Sequence, residues 1–286
     1  MHSVSGHTKP FAVLGHPIGH SLSPVMHNAS FEALGLDAIY LAFDVHPDRL
    51  MPVLSAMRDM GFQGVNLTVP LKEVACSELP SLDASARLLG AVNTVVFADD
   101  GLVGHNTDGF GFLKAMEESF GPSIAGESVF VLGTGGAGRA VALVCAQHGA
   151  DRIALSDVDE SRAERVATEI RAAYPAVTLH VASPDDQIDA CRTANVVVQS
   201  TPVGMKEADA SLLGPDAFCT GQKVFDLIYM YPETAFLRTA REAGADTANG
   251  LGMLLHQGAR AFTLWTGKEP SITGMRSALE KAVYGK

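Results

Sequence analysis

The chain is short of basic charge: 21 lysines and arginines stand against 32 aspartates and glutamates, a formal net charge of −11. Nucleic acid and anionic membrane surfaces both demand a basic face, so neither is an expected partner. Long apolar runs are missing as well, and none approaches the roughly 18 residues that a membrane span requires. The N-terminal stretch MHSVSGHTKP is polar and has no apolar signal core, which sets the expectation of a cytoplasmic protein. Cysteine is scarce. The four (Cys76, Cys145, Cys191, Cys219) lack metal-like spacing, which fits buried thiols in a reducing compartment and no metal site. Internal repeats and low-complexity stretches are absent too. What is present is a 286-residue chain, 47% hydrophobic, enough for the cores of two ordinary domains.

Short β-rich runs alternate with helical patterns throughout. Strands are expected at 11–14, 39–45, 64–68, 92–97, 129–133, 152–156, 178–181, 196–200 and 224–228. Helical spacing fills most of the gaps, as at 137–148, closed by Gly149, and 161–173, closed by Pro175. This alternation predicts an α/β protein built of βαβ units with mostly parallel sheets. The last segments, 251–266 and 273–284, read as two helices with no further strand. A helix at 108–120 ends in the breaker stretch Gly121-Pro122-Ser123, placing a domain boundary near there, and a second boundary falls near Asn249-Gly250.

Val129-Phe130-Val131-Leu132 runs straight into Gly133-Thr134-Gly135-Gly136-Ala137-Gly138, and a helical stretch follows. This is G-x-G-x-x-G between a buried strand and a helix, the context a dinucleotide loop requires. The first glycine allows the tight turn, the second admits a pyrophosphate, and the third brings helix and strand close. The helix N-terminus adds free N–H groups and partial positive charge. Asp157 lies 24 positions after Gly133, at the end of the next strand, where such folds place a carboxylate on the adenosine ribose. A carboxylate accepts from the ribose hydroxyls of NAD and repels the 2′-phosphate of NADP. At about 5 Å and an effective dielectric near 20 that repulsion is roughly 3 kcal/mol per charge pair. The nearest downstream arginine, Arg162, already belongs to the next helix, so NAD is expected in preference to NADP. Asp159 reads as a helix cap.

Polar residues also mark the first part of the chain. In Ser21-Leu22-Ser23-Pro24, Ser23 reads as an N-cap with Pro24 at the first helical position, which leaves Ser21 unexplained. In Gly64-Val65-Asn66-Leu67-Thr68-Val69-Pro70-Leu71-Lys72, Asn66 and Thr68 alternate with apolar residues, so one strand face carries polar groups inward. Lys72 follows at a helix start, where a cation opposes the dipole; it either faces solvent or has its pKa lowered for proton transfer. Gly90-Ala91-Val92-Asn93-Thr94 and Gly104-His105-Asn106-Thr107-Asp108-Gly109 come next. Asp108 is placed to cap a helix or to act on a ligand.

These segments, with S-T-P-V-G-M (200–205), D-L-I-Y (226–229) and G-L-G-M-L-L-H-Q-G (250–258), resemble the shikimate dehydrogenases and their quinate/shikimate relatives, in order and over nearly the whole chain. The resemblance implies a two-domain oxidoreductase that interconverts shikimate and 3-dehydroshikimate with a nicotinamide cofactor. It implies a substrate domain of residues 1–108 completed by helices 250–286, a Rossmann domain of residues 109–249, and an active site in the cleft between them. Ser21 and Ser23 match residues that hold the substrate carboxylate. Thr68, Asn93 and Gln257 match residues on the ring hydroxyls, with Asn66 beside them, and Tyr229 matches a tyrosine at the mouth. Lys72 and Asp108 match the proton-transfer pair. Gly133, Thr134, Gly135, Gly136, Ala137, Asp157, Thr201, Leu227 and Gly250 fall where the cofactor is bound. The acidic S-D-V-D-E-S segment resembles the NAD-preferring quinate/shikimate type, whereas Ser23 resembles the shikimate-specific type. Quinate oxidation and a non-catalytic NAD-binding regulator are the alternatives, the second disfavoured by the lysine–aspartate pair. Monomer and homodimer are both compatible with the sequence.

Overall fold

The computed structural model of the protein describes residues 4–98, 101–122 and 124–285. Met1–Ser3 and Ser123 of the breaker stretch lie outside them. The chain divides into two compact units, Met1–Gly111 with Leu254–Lys286, and Phe112–Met253.

The first unit holds β1 (Lys9–Gly15), β2 (Ala38–Asp44), β3 (Gly64–Leu67), β4 (Ser81–Leu82), β5 (Thr94–Ala98) and β6 (Gly101–His105) in one sheet of order β2-β1-β3-β5-β6-β4. Its helices are α1 (Ser23–Ala33), α2 (Leu50–Asp59), α3 (Leu71–Glu78) and α4 (Ala84–Leu89). From the end of the chain come most of α10 (Leu251–Thr266) and all of α11 (Ile272–Tyr284). Alternation in β1 explains the layering. Phe11 and Val13 enter a cluster with Phe31, Tyr40 and Phe262, while Ala12 and Leu14 enter another with Leu50, Leu54, Leu67 and Leu71. Both faces of the sheet are therefore covered, each large buried side chain contributing about 1.5–3 kcal/mol. The sheet is mixed, because β5 runs antiparallel to β3 and β6. The backbone N–H of Ser271, at the start of α11, donates to Ser30 Oγ of α1 at 3.0 Å, fastening the C-terminal helices to this unit.

The second unit holds β7 (Ser128–Leu132), β8 (Arg152–Ser156), β9 (Thr178–Val181), β10 (Val196–Gln199), β11 (Lys223–Asp226) and β12 (Asp246–Asn249). Its order is β12-β11-β10-β7-β8-β9 and every pair is parallel. This is the doubly wound nucleotide-binding arrangement. The strand order reverses between β7 and β10, and ligands of such sheets lie outside the strands' carboxyl ends at that point. The helices are α5 (Asp108–Phe120, beginning at the junction), α6 (Gly136–Gln147), α7 (Glu160–Ala173), α8 (Gln187–Arg192) and α9 (Ala235–Glu242). No helix among the described residues is long and apolar enough to cross a membrane.

Candidate functional site

In the first unit, three chain turns bring polar groups together. Lys72 is the second residue of α3, and its ammonium lies 2.7 Å from Asp108 Oδ2. Asp108 opens α5, where its carboxylate complements the helix dipole that the lysine opposes at its own helix. Asp108 is not its own cap: Asn106 Oδ1 accepts from the Asp108 N–H at 2.9 Å. The other carboxylate oxygen accepts from Asn93 Nδ2 at 2.8 Å. The same amide nitrogen lies 3.0 Å from Thr107 Oγ1 and 3.5 Å from Gln257 Oε1. Lys72, Asp108, Asn93 and Gln257 thus form one hydrogen-bonded group, with side chains of Lys72 and Asp108 28% and 20% exposed, open enough to meet a ligand.

The serines are placed differently from the capping expectation. Leu22 already has helical backbone angles and no side chain caps α1, so Ser23 is the first helical residue and not the N-cap. Its N–H donates to Ser21 Oγ at 3.4 Å, and its side chain lies beside the Tyr40 hydroxyl. Burial pushes the Tyr40 hydroxyl well above its usual range, against the pull of Ser23. Tyr40 also donates to Asn66 Oδ1 at 2.6 Å, and Asn66 Nδ2 donates to Asn93 O and Thr94 Oγ1, both at 3.0 Å. Asn66 is therefore an inward strut. Thr68 follows β3, its N–H donating to Leu14 O at 2.9 Å and its methyl packed against Gly15. Tyr40, Thr94 and Thr107 were not singled out from the sequence as site residues. Thr94 and Thr107 lie within the quoted segments, whereas Tyr40, amid the apolar run of β2 from Ala38 to Phe43, gave no signal.

The second unit carries the glycine loop at the carboxyl end of β7. Gly133 has φ +91°, and a Cβ there would meet Thr201 Cγ2 at 2.7 Å. At Gly138 a Cβ would lie 1.9 Å from Gly133 O, so helix and strand touch backbone to backbone. At Gly135 and Gly136 a Cβ would meet nothing within 4 Å, and no side chain caps α6. Ala137 lies in the first turn of that helix. The N-terminus of α6 fits a pyrophosphate: open approach, free backbone donors and favourable dipole. Gly250 is packed on β11's exit, since a Cβ there would lie 2.1 Å from Leu227 O. The Thr201 N–H donates to Gln199 Oε1, and the half-buried Tyr229 has its hydroxyl pKa raised by burial.

Asp157 departs most from expectation. Its Oδ2 accepts from Thr134 N at 2.6 Å and Thr134 Oγ1 at 2.9 Å, and its Oδ1 accepts from Asp159 N at 2.9 Å. The side chain is only 5% exposed, and Arg162 Nη1 stands 3.6 Å away. Burial works against its ionisation, but these donors and the guanidinium more than offset it and hold the carboxyl below its usual range. Arg162 also reaches Asp159 at 3.8 Å, with Arg165 at 3.9 Å. Asp159 is the N-cap of α7, as expected. Among the described residues no group of three His, Cys, Asp or Glu side chains could hold a metal ion.

Two family models match the chain: the shikimate dehydrogenase substrate binding domain over residues 13–95, and the shikimate 5′-dehydrogenase C-terminal domain over residues 250–280. A shikimate dehydrogenase (NADP(+)) of Methanopyrus kandleri is 42% identical, over 97% of each chain. Further relatives of 38–43% identity carry the same name. The structure of a Thermus thermophilus shikimate 5-dehydrogenase with NADP(H) and shikimate matches with a TM-score of 0.85 and 39% identity, over 96% of this chain and 100% of that one. A Listeria monocytogenes enzyme in complex with shikimate and NAD matches at 0.90 and 34%, over 98% and 99%. The names of the curated relatives overturn the expectation of NAD as the main cofactor. The physical reason lies at Asp157: Thr134 of the loop and the Asp159 N–H already engage both of its oxygens and Arg162 faces its charge, so it is not a free acid at the ribose.

Proposed function

The chain belongs to the shikimate dehydrogenase family, and from that premise we propose that it interconverts shikimate and 3-dehydroshikimate, with Lys72 carrying the proton of the C3 hydroxyl. The observation that supports this most is the 2.7 Å Lys72–Asp108 pair, partly open and tied through Asn93 to Gln257. As the neutral amine Lys72 takes the proton when the alcohol is oxidised, becoming the ammonium that Asp108 pairs, and it returns that proton in reverse, which is worth about 10²–10⁴-fold. Asp108 fixes the ammonium and balances its charge. Ser21 and Ser23 hold the substrate carboxylate, and Thr68, Asn93 and Gln257 orient the ring hydroxyls. Asn66 supports them from behind.

We take the dinucleotide to be NADP, as in the named relatives; held by this unit it would supply the hydride acceptor and donor for C3. The loop Gly133–Ala137 receives its pyrophosphate, while Thr134 and Asp157 keep that loop in shape. Arg162, 46% exposed, offers its guanidinium to a 2′-phosphate. Thr201, Leu227 and Gly250 form the loops toward the nicotinamide. The test is a steady-state assay of the purified protein with shikimate or quinate and NADP or NAD, followed by the absorbance of the reduced nicotinamide. Shikimate-dependent reduction of NADP supports the reading. No turnover of shikimate with either dinucleotide sinks it.

A further inference from the structure

Asp226, the last residue of β11, is fully buried. Its Oδ2 accepts from Thr234 Oγ1 at 2.6 Å, and its Oδ1 accepts from Ile228 N at 3.0 Å and Gln199 Nε2 at 3.2 Å. Each partner belongs to a different piece of chain at the carboxyl edge of the sheet. Gln199 ends β10, and its amide also donates to Val203 O at 2.9 Å and accepts from the Thr201 N–H. Ile228 lies in the exit of β11, where Leu227 N donates to Gln199 O at 2.9 Å and Gly250 N to Ile228 O at 3.1 Å. Thr234 caps α9. The charged groups of these segments are engaged elsewhere: Asp209 accepts from Gly204 N and Lys206 N, and Glu233 pairs with Arg238 and Arg241. Three neutral donors alone hold the Asp226 carboxylate.

We propose that Asp226 is a positioning residue for the dinucleotide: its carboxylate ties the segments after β10 and β11 to the start of α9, and so sets the loops that carry Thr201 and Leu227. The inference rests on the reading of this unit as the nucleotide domain. An ionised carboxylate is the one side chain here that accepts on both oxygens at once. A neutral acid or amide turns one side into a donor, aimed at a donor, and one tie is lost. Stability does not explain the charge. Burial raises this carboxyl to about 6, above its unfolded value, so the folded form binds the extra proton between those values. Stability from this group is therefore greatest at low pH and falls as pH rises through about 6. The charge is kept at a cost, which fits a geometric role.

The experiment is direct titration of the full-length protein with NADPH by calorimetry from about pH 5 to 8, with NADH alongside. NADH lacks the 2′-phosphate, whose own ionisation near pH 6 would otherwise overlap. The wild type should bind NADH progressively more weakly below about pH 6. Asp226→Asn should weaken both dinucleotides by about 10–100-fold at neutral pH, the scale of a lost bond to a charged acceptor, and abolish that pH dependence. Its KM for shikimate and its kcat at saturating cofactor should stay within a few-fold. Thr234→Val, which removes one tie, should weaken binding several-fold, and Thr234→Ser should restore it; this pair decides the matter if Asp226→Asn fails to fold. Unchanged dinucleotide affinity in Asp226→Asn, or a loss shared equally by shikimate KM and kcat, overturns the proposal. Because binding is read without turnover, a wild type that binds NADPH but does not oxidise shikimate refutes the substrate reading and leaves this one standing.

Discussion

Asp108 and His27 show how single side chains reach the account's energetics from opposite directions. Asp108 neutralises a lysine that opens a helix, where the dipole disfavours a cation. Asp108→Asn keeps the size and removes the charge, and should lower kcat by about 10–100-fold, the scale of a hydrogen bond to a charged group. Steady-state kinetics with a pH–rate profile checks this; an unaltered profile and kcat would show the pair to be merely structural. His27 has no task in the mechanism. It is fully buried, stacked on Tyr40 with ring centroids 4.4 Å apart, and neither ring nitrogen has a hydrogen-bond partner. Burial lowers its pKa from 6.5 to about 3, so it folds neutral while the unfolded chain protonates near 6.5. Its contribution is complete above 6.5 and is lost as pH falls from there toward 3, by about 1.4 kcal/mol per unit. His27→Phe should keep the stack and shift the acid unfolding midpoint to lower pH; the same midpoint in both proteins contradicts this. The sequence alone left Lys72 between a surface and a chemical role and Asp108 between a cap and a ligand contact; the family resemblance paired them, and they lie 2.7 Å apart. Arg162 was not legible, because its approach to Asp157 is made across the turn into α7, which spacing does not show.

Among the elements, the glycine loop makes the sharpest separation between folding and binding. At Gly138 an added methyl would collide with Gly133 O, a backbone atom, so Gly138→Ala must displace strand or helix. It should lower Tm and weaken NADPH binding together, overpacking costing about 1–3 kcal/mol. At Gly135 the methyl meets nothing within 4 Å. Gly135→Ala should leave Tm nearly unchanged while weakening NADPH, since the methyl takes the phosphate's approach. Thermal unfolding and a binding titration check both, and equal affinity in Gly135→Ala would show that the loop does not receive the pyrophosphate. Every strand with a run of apolar or β-branched residues was readable, Arg152–Ser156 and Thr178–Val181 to the residue. The strands that were not are β4, two residues long, β6, with Gly101 and Gly104 inside it, and β12, Asp-Thr-Ala-Asn. These lack the apolar run or the β-branched side chains that mark a strand, and pairing to a neighbour alone makes them extended. The missed β6 also hid part of the antiparallel pairing in the first sheet, since it runs antiparallel to β5.

At the scale of the whole molecule, each unit carries its own polar assembly. The mixed sheet and its helices hold the Lys72–Asp108–Asn93–Gln257 group, and the doubly wound parallel sheet holds the glycine loop and the Asp226 ties. The return of the C-terminal helices to the first unit was implied by the family resemblance and not by periodicity, which reads helices without saying where they pack. The most direct test of the central claim is the turnover of Lys72→Ala on shikimate with saturating NADP, measured beside the NADPH affinity of the same variant. The account predicts a fall in kcat of about 10²–10⁴-fold with NADPH affinity unchanged, because the lysine acts on the proton and not on the dinucleotide. Wild-type-like turnover in that variant would contradict it.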